Sequence, residues 1–196
     1  MQKKLLLGVV TFLLVFGSSA FAQNSLENGS FENEAVLSSV DDLVNKGFSL
    51  EFDSKHWAEG WVINPLMTPA SISLVEGEST PDGKRYLNVK TIGATHIFAQ
   101  ESISGEDAYK ISFMARGESF MDKAPTIVVY AYLYTKDKQW VGRDMPLETF
   151  SLTNAWESYS IDLPSVGDGL VAKIAFRFLG SCDLDHVKVE SVRSEK

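Results

Sequence analysis

The most regular pattern in the chain is residues 126–134, Thr-Ile-Val-Val-Tyr-Ala-Tyr-Leu-Tyr. Side chains of a strand alternate between its two faces, so Ile127, Val129, Ala131 and Leu133 share one side and Thr126, Val128, Tyr130, Tyr132 and Tyr134 the other. The first set reads as core. The same period sets Tyr109, Ile111 and Phe113 against Lys110, Ser112, Met114 and Arg116, and Ile174, Phe176 and Phe178 against Lys173, Ala175, Arg177 and Leu179. Such runs predict strands over residues 60–63, 71–76, 86–91, 96–103, 108–116, 126–134, 140–143, 149–152, 157–163, 172–179 and 183–192. Turn residues separate them at 80–83, 104–107, 136–138 and 165–169. One stretch departs from this period. Val36, Leu37, Val40, Leu43 and Val44 recur at helical spacing and Gly47 follows as a stop, which predicts one short helix near 39–46. It lies in a segment, 33–59, that reads as an N-terminal insertion, and Phe48, Leu50 and Phe52 then alternate as a strand. Many short strands with turn chemistry between them predict an all-β fold, a jelly-roll β-sandwich carrying that one helix.

Residues 1–22 stand outside this pattern. A basic start (Lys3, Lys4), an apolar run over 5–16 and the small-x-small triplet Ala20-Phe21-Ala22 describe a bacterial-type signal peptide, so cleavage is expected after Ala22. The expected product is a single secreted or periplasmic domain, 23–196. The apolar run is short for a spanning helix, which needs about 20 residues, and nothing later is apolar enough, so the mature chain is not expected to insert in a membrane. The formal charge is −8, and two of the lysines lie in the leader, so the remainder is more acidic still. That balance disfavours nucleic acid and anionic membranes as partners while leaving neutral glycans and cations open. Cys182 is the only cysteine, which excludes an internal disulfide, and its place beside an apolar strand predicts a buried thiol.

Several short motifs occur in a telling order. They are Asn28-Gly29-Ser30-Phe31-Glu32, Gly60-Trp61, Asp-Gly-Lys-Arg-Tyr-Leu at 82–87, and Gln100 before a turn. Tyr-Lys-Ile-Ser-Phe-Met-Ala-Arg-Gly at 109–117, Trp156 with Tyr159, and Leu184-Asp185-His186-Val187 complete the set. The set resembles the carbohydrate-binding modules of families 4, 9, 16 and 22, the galactose-binding-like jelly roll found beside bacterial cellulases and xylanases. The resemblance implies a polysaccharide or oligosaccharide ligand, no catalysis by this chain, and a separate glycan-degrading enzyme as a partner. It also implies core positions for Trp61 and Trp156. A structural Ca²⁺ joining the first strand to the last would be held by Glu32 and Asp185 with backbone oxygen from Gly29 or Ser30. Asp82 is either a further ligand or simply a turn residue. Calcium takes six to eight oxygens at about 2.3 to 2.6 Å. Two features depart from the family pattern: Met114 stands where a large aromatic is frequent, and segment 33–59 is longer than usual.

Tyr130, Tyr132 and Tyr134 supply the candidate chemistry for a glycan. Next-but-one strand residues are about 6.6 to 7 Å apart, so three rings span about two or three pyranose units, and a phenol offers both an apolar face and a hydroxyl. The other reading is a partly buried sheet face built from good strand residues. Arg116 and Arg177 are expected as hydrogen-bond donors from neighbouring strands, and Met114 occupies the family's platform position. Trp140 is either an edge ring or a loop residue folded on the core, and Gln100 either a ligand contact or a buried amide. An enzyme is the second reading, because jelly rolls also host glycosidases and lyases. Yet the chain has neither a G-x-S-x-G elbow nor an H-E-x-x-H helix, and His56, His96 and His186 are scattered. A third reading is an envelope adhesion scaffold that has lost sugar binding, which the aliphatic Met114 favours. Asn28-Gly29-Ser30 also fits the acceptor pattern for N-glycosylation.

Overall fold

The computed structural model describes residues 26, 28–35, 50–52, 57–64 and 70–192. The helix expected near 39–46 and the leader at 1–22 lie outside the described residues. Within them the chain is all β, and its strands are β1 (Glu34–Ala35), β2 (Leu50–Phe52), β3 (Trp57–Ala58), β4 (Trp61–Asn64), β5 (Ala70–Glu76) and β6 (Arg85–Ala99). They continue with β7 (Ile103–Ser104), β8 (Ala108–Glu118), β9 (Thr126–Thr135), β10 (Trp140–Ser151), β11 (Glu157–Leu163) and β12 (Leu170–Val192).

Three pairs of strands expected as separate units are single long strands. Residues 86–91 and 96–103 are mostly joined in β6, 140–143 and 149–152 in β10, and 172–179 and 183–192 in β12. Irregular residues that read as breaks act instead as bends. In β12 the register with β6 shifts between Phe178 and Gly180, and in β10 a shift falls between Pro146 and Glu148. A bulge bends a strand without ending it.

The bends divide one continuous sheet into two layers. Along one edge of β12, residues 170–179 pair with β9 and residues 181–192 pair with β8. Along the other edge, residues 175–178 meet the far half of β6 and 180–184 meet its near half. The first layer is therefore β10, β9, the start of β12, the end of β6 and β4; the second is β11, β8, the end of β12, the start of β6, β5 and β2. This is a jelly-roll β-sandwich. Its inner faces are those the alternation marks: Ile127, Val129, Ala131, Ile174, Phe176 and Phe178 from the first layer face Ile111, Phe113 and Ala115 from the second, all buried. Phe113 joins the two directly, with ring centroids 5.3 Å from Phe176 and 5.4 Å from Phe150. Each fully buried Ile, Val or Phe among them contributes about 1.5 to 3 kcal/mol.

The insertion is closed at its ends. β1 pairs with β3, so the chain leaves at Ala35 and returns at Trp57 beside itself. Asn28 ties this clasp down: its Nδ2 donates to the carbonyls of Asn33 (2.8 Å) and Glu59 (3.0 Å). Both amide hydrogens are thereby engaged, so an N-linked glycan on Asn28 would cost one of these bonds. Trp57 and Trp61 are buried, and their indole N–H groups donate to Trp61 O and Asn28 O. Cys182 is buried as expected, and burial pushes its thiol up to about 12.

Gly180 is the residue at which β12 passes from one layer to the other. Its φ is +83°, and a Cβ there would lie 2.9 Å from Pro125 Cα. Left-handed backbone disfavours any L side chain, and the clash adds to it. Gly180→Ala should lower unfolding stability by about 2 kcal/mol or more, read as an earlier urea midpoint at unchanged slope. An unchanged midpoint would show that the crossover does not need this geometry.

Candidate functional site

The outer face of the first layer carries most of the residues expected to meet a glycan. Tyr130, Tyr132 and Tyr134 project there from β9, because their neighbours Val129, Ala131 and Leu133 are committed to the core. Beside them β12 places Lys173, Ala175 and Arg177, and β6 places His96 and Phe98, with Ala175 opposite both Tyr130 and Phe98. The small Ala175 lets the larger rings on either side approach across it. Tyr130 and Tyr132 stack at 6.2 Å and 16°, His96 stacks on Tyr130 at 5.4 Å, and Phe98 meets Tyr132 edge-on. Arg177 is exposed and its Nη1 donates to the Tyr130 hydroxyl at 3.4 Å. Lys173 lies over Phe98 and Tyr134.

The three tyrosines are not equally open. Tyr132 is only 8 % exposed, whereas Tyr130 and Tyr134 are half-buried. The expected ladder of three open rings is therefore corrected: Tyr132 is the support, wedged among Tyr130, His96 and Phe98, and the two flanking rings present surface. His96 and Tyr132 are hydrogen-bonded through Nδ1 and the phenol. Burial, then the nearby charge of Arg177, lowers the His96 pKa to about 4, so the imidazole is neutral at pH 7. His96 carried no signal beyond its place in a strand. Trp140 is 59 % exposed, on the partner position to Tyr134, which answers the loop-on-core alternative.

Other expected members lie elsewhere. Met114 and Arg116 are on the outer face of the second layer, because β8 pairs with the far half of β12. Arg116 bonds Asp183 at 2.7 Å and lies over the rings of Trp156 and Tyr86. It does not accompany the tyrosines. Trp156, expected in the core, is half-buried beside Arg116 and outside the core cluster. Gln100 is exposed, which rules out the buried-amide reading, and its backbone N–H donates to Gly60 O.

The residues expected to hold calcium do converge. Gly29, Ser30, Glu32 and Asp82 line one cavity of about 280 Å³, with His186 and Lys188. Asp185 is fully buried. Glu32 Oε1 accepts the N–H groups of Lys84 (2.6 Å) and Arg85 (2.7 Å), and Asp185 accepts those of Asp82 (3.0 Å) and His186 (2.6 Å). Arg85 adds bonds to Glu32 O, Glu34 and Glu76. The carboxylates thus pin the 82–85 turn between the N-terminal motif and β12. The carboxylate and carbonyl oxygens among these residues suit a hard cation, while His186 and Lys188 bring nitrogen to the same lining. The fit is incomplete as the side chains stand: Asp185 and Glu32 accept N–H groups, Asp82 Oδ2 faces His186 Nδ1 at 2.8 Å, and no group of three metal-ligating side chains forms among the described residues. Burial pushes the Asp185 carboxyl up to about 6, against the pull of its two N–H donors and with the Asp82 charge adding to the rise. His186 sits at a bulge with φ 53° and reaches back to Asp82.

No protein-family model matches the sequence, and no curated protein is similar to it in sequence. Solved structures do match the fold. The enzymatically active domain of tailspike protein 4 from bacteriophage CBA120 superposes with a TM-score of 0.56 at 12 % identity; the match covers 86 % of this chain and 21 % of that one. This chain therefore spans about a fifth of that relative. TmCBM61, solved in complex with β-1,4-galactotriose, gives 0.54 at 14 % identity over 87 % of this chain and all of that one. The CBM22-1 xylan-binding domain of Paenibacillus barcinonensis Xyn10C gives 0.51 at 11 % identity over 70 % and 88 %. At these identities the likeness concerns architecture, and the chain has the jelly-roll fold of carbohydrate-binding modules.

Proposed function

We propose that the protein is a secreted, non-catalytic carbohydrate-binding module that takes a polysaccharide or oligosaccharide across the outer face of the first layer. The observation that carries this reading is the packed strip of Tyr130, Tyr132 and His96 facing away from the core, with Arg177 exposed at its side. The flanking rings of Tyr130 and Tyr134 offer apolar surface to sugar C–H groups, and Arg177 and Lys173 offer donors to hydroxyls. Trp140 extends the strip at one end. The galactotriose and xylan named for two proteins of like fold support a neutral glycan as the ligand class. Among the described residues no helix is long and apolar enough to cross a membrane.

Tyr130→Ala and Arg177→Ala should each weaken binding to the best of soluble xylan, β-glucan and galactan about tenfold, which corresponds to about 1.4 kcal/mol, with little change in melting. Affinity electrophoresis reads this directly. A folded wild-type protein retarded by none of the polymers would leave the scaffold reading in its place, and release of reducing ends from any of them would favour an enzyme.

The neutral His96 makes this face sensitive to acid. Its folded pKa of about 4 lies below the ordinary 6.5, so the stability it contributes is complete above pH 6.5 and is lost as pH falls towards 4, by up to about 3 kcal/mol. Asp185 acts in the opposite sense, since its raised value costs stability as pH rises from 4 through 6. His96→Gln isolates the first effect: from pH 7 to pH 4.5 the wild type should lose more melting temperature than the variant. Parallel curves would place a charged or exposed imidazole at 96.

Calcium belongs to the same reading as a structural cation. Glu32, Asp82 and the carbonyls of Gly29 and Ser30 would hold it, with Asp185 behind them, and the ion would tie the N-terminal motif to β12. EDTA should lower the melting temperature and added Ca²⁺ restore it. Identical melting in both would remove the ion from this reading and leave Glu32 and Asp185 to the backbone N–H groups and Asp82 to His186.

A further inference from the structure

The outer face of the second layer holds a cavity of about 270 Å³ that the tyrosine strip does not share. Two rows of polar side chains cross three neighbouring strands there. Asn88, Asp183 and Arg116 form one row, and Lys90, Ser181 and Glu118 the next, each aligned by strand register. Rows and strands on a sheet are separated by about 6.6 to 7 Å and about 4.8 Å, a grid on the scale of the hydroxyls around one sugar ring. Asn154 and the backbone of Gly117 complete the wall, and Tyr86 closes one end.

The first row is organised rather than merely solvated. Asp183 accepts from Asn88 Nδ2 at 2.6 Å through one oxygen and from Arg116 Nε at 2.7 Å through the other. Arg116 is held from its face as well, with its guanidinium carbon 4.7 Å from the Trp156 ring centroid and 5.4 Å from that of Tyr86. Tyr86 and Trp156 in turn meet edge to face at 5.5 Å. A donor and acceptor set fixed in this way loses little freedom when it binds. The four charged side chains of the lining, Lys90 and Arg116 against Glu118 and Asp183, balance, so the cavity favours neither an anion nor a cation. Trp156 packs on Arg116 from outside the cavity lining, and its indole N–H is buried with no acceptor among the described residues.

We propose that this cavity is a second sugar subsite, taking one ring of a neutral glycan on the side of the sandwich opposite the tyrosine strip. It is independent of that strip in its residues and shares with it only the glycan class. The volume, about 270 Å³, lies just below the usual range of ligand cavities, about 300 to 1,000 Å³, which suits one ring rather than a chain segment. With both faces engaged, one protein molecule joins two glycan strands.

The test is a titration of the ¹⁵N-labelled protein with β-1,4-galactotriose and with xylohexaose, following side-chain amide signals of Asn88 and Asn154 and the indole N–H of Trp156. The expected result is saturable movement of these three signals, reduced at least fivefold in apparent affinity by Asn154→Ala or Lys90→Ala, while backbone signals of Tyr130 and Arg177 respond as in wild type. Both substitutions are at exposed positions, so folding is preserved. Movement at Tyr130 and Arg177 with none at Asn88, Asn154 and Trp156 overturns the second subsite and leaves the first face intact. Movement at the second set alone supports this subsite and removes the first face. Silence at both with the two sugars overturns the subsite as stated and the face together.

Discussion

β6 and β12 run side by side through both layers, and everything else in the molecule is arranged on them. Their antiparallel pairing continues across the bend, so the hydrogen bonds that build one sheet also set the position of the other. β9 and β8 can occupy successive lengths of the same edge of β12 only because the strand turns at Gly180. The bend brings Phe113 against Phe176 and so creates the core. It also means that the two outward faces, which carry different chemistry, belong to the same pair of strands.

The sequence was informative about faces and silent about neighbours. Alternation identified Ile127, Val129 and Ala131 as core and the tyrosines as outward, because burial of one face imposes a period of two. It could not tell that Arg116 and Tyr130 point away from the core in opposite directions. Both are simply outward along their own strands, and only pairing assigns a strand to a layer. The same limit explains the misplaced Trp156 and the overlooked His96 and Tyr86, whose meaning comes entirely from side chains many residues away. Apparent breaks such as Gly180 misled in another way: a glycine inside a strand pattern marks a bend as often as an end.

The acidic motifs show the converse. Glu32 and Asp185 stand far apart in the chain, and nothing in local pattern connects them; the family resemblance alone brought them together. They do converge, through the 82–85 turn that both of them bind. What the resemblance did not anticipate is the density of backbone N–H groups around them, or the reach of His186 to Asp82. A carboxylate that accepts N–H groups and a carboxylate that ligates a cation look alike in sequence, since both require an acid in the same place.

Cys182 lies two residues past Gly180 in the same strand, fully buried where β12 has just changed layers. Because it is the only thiol in the chain, oxidants and other cysteines can reach it only in molecules whose layers have come apart. In an oxidising medium, covalent dimers would then accumulate from misassembled copies and not from native ones, so the thiol acts as a chemical mark of folding failure.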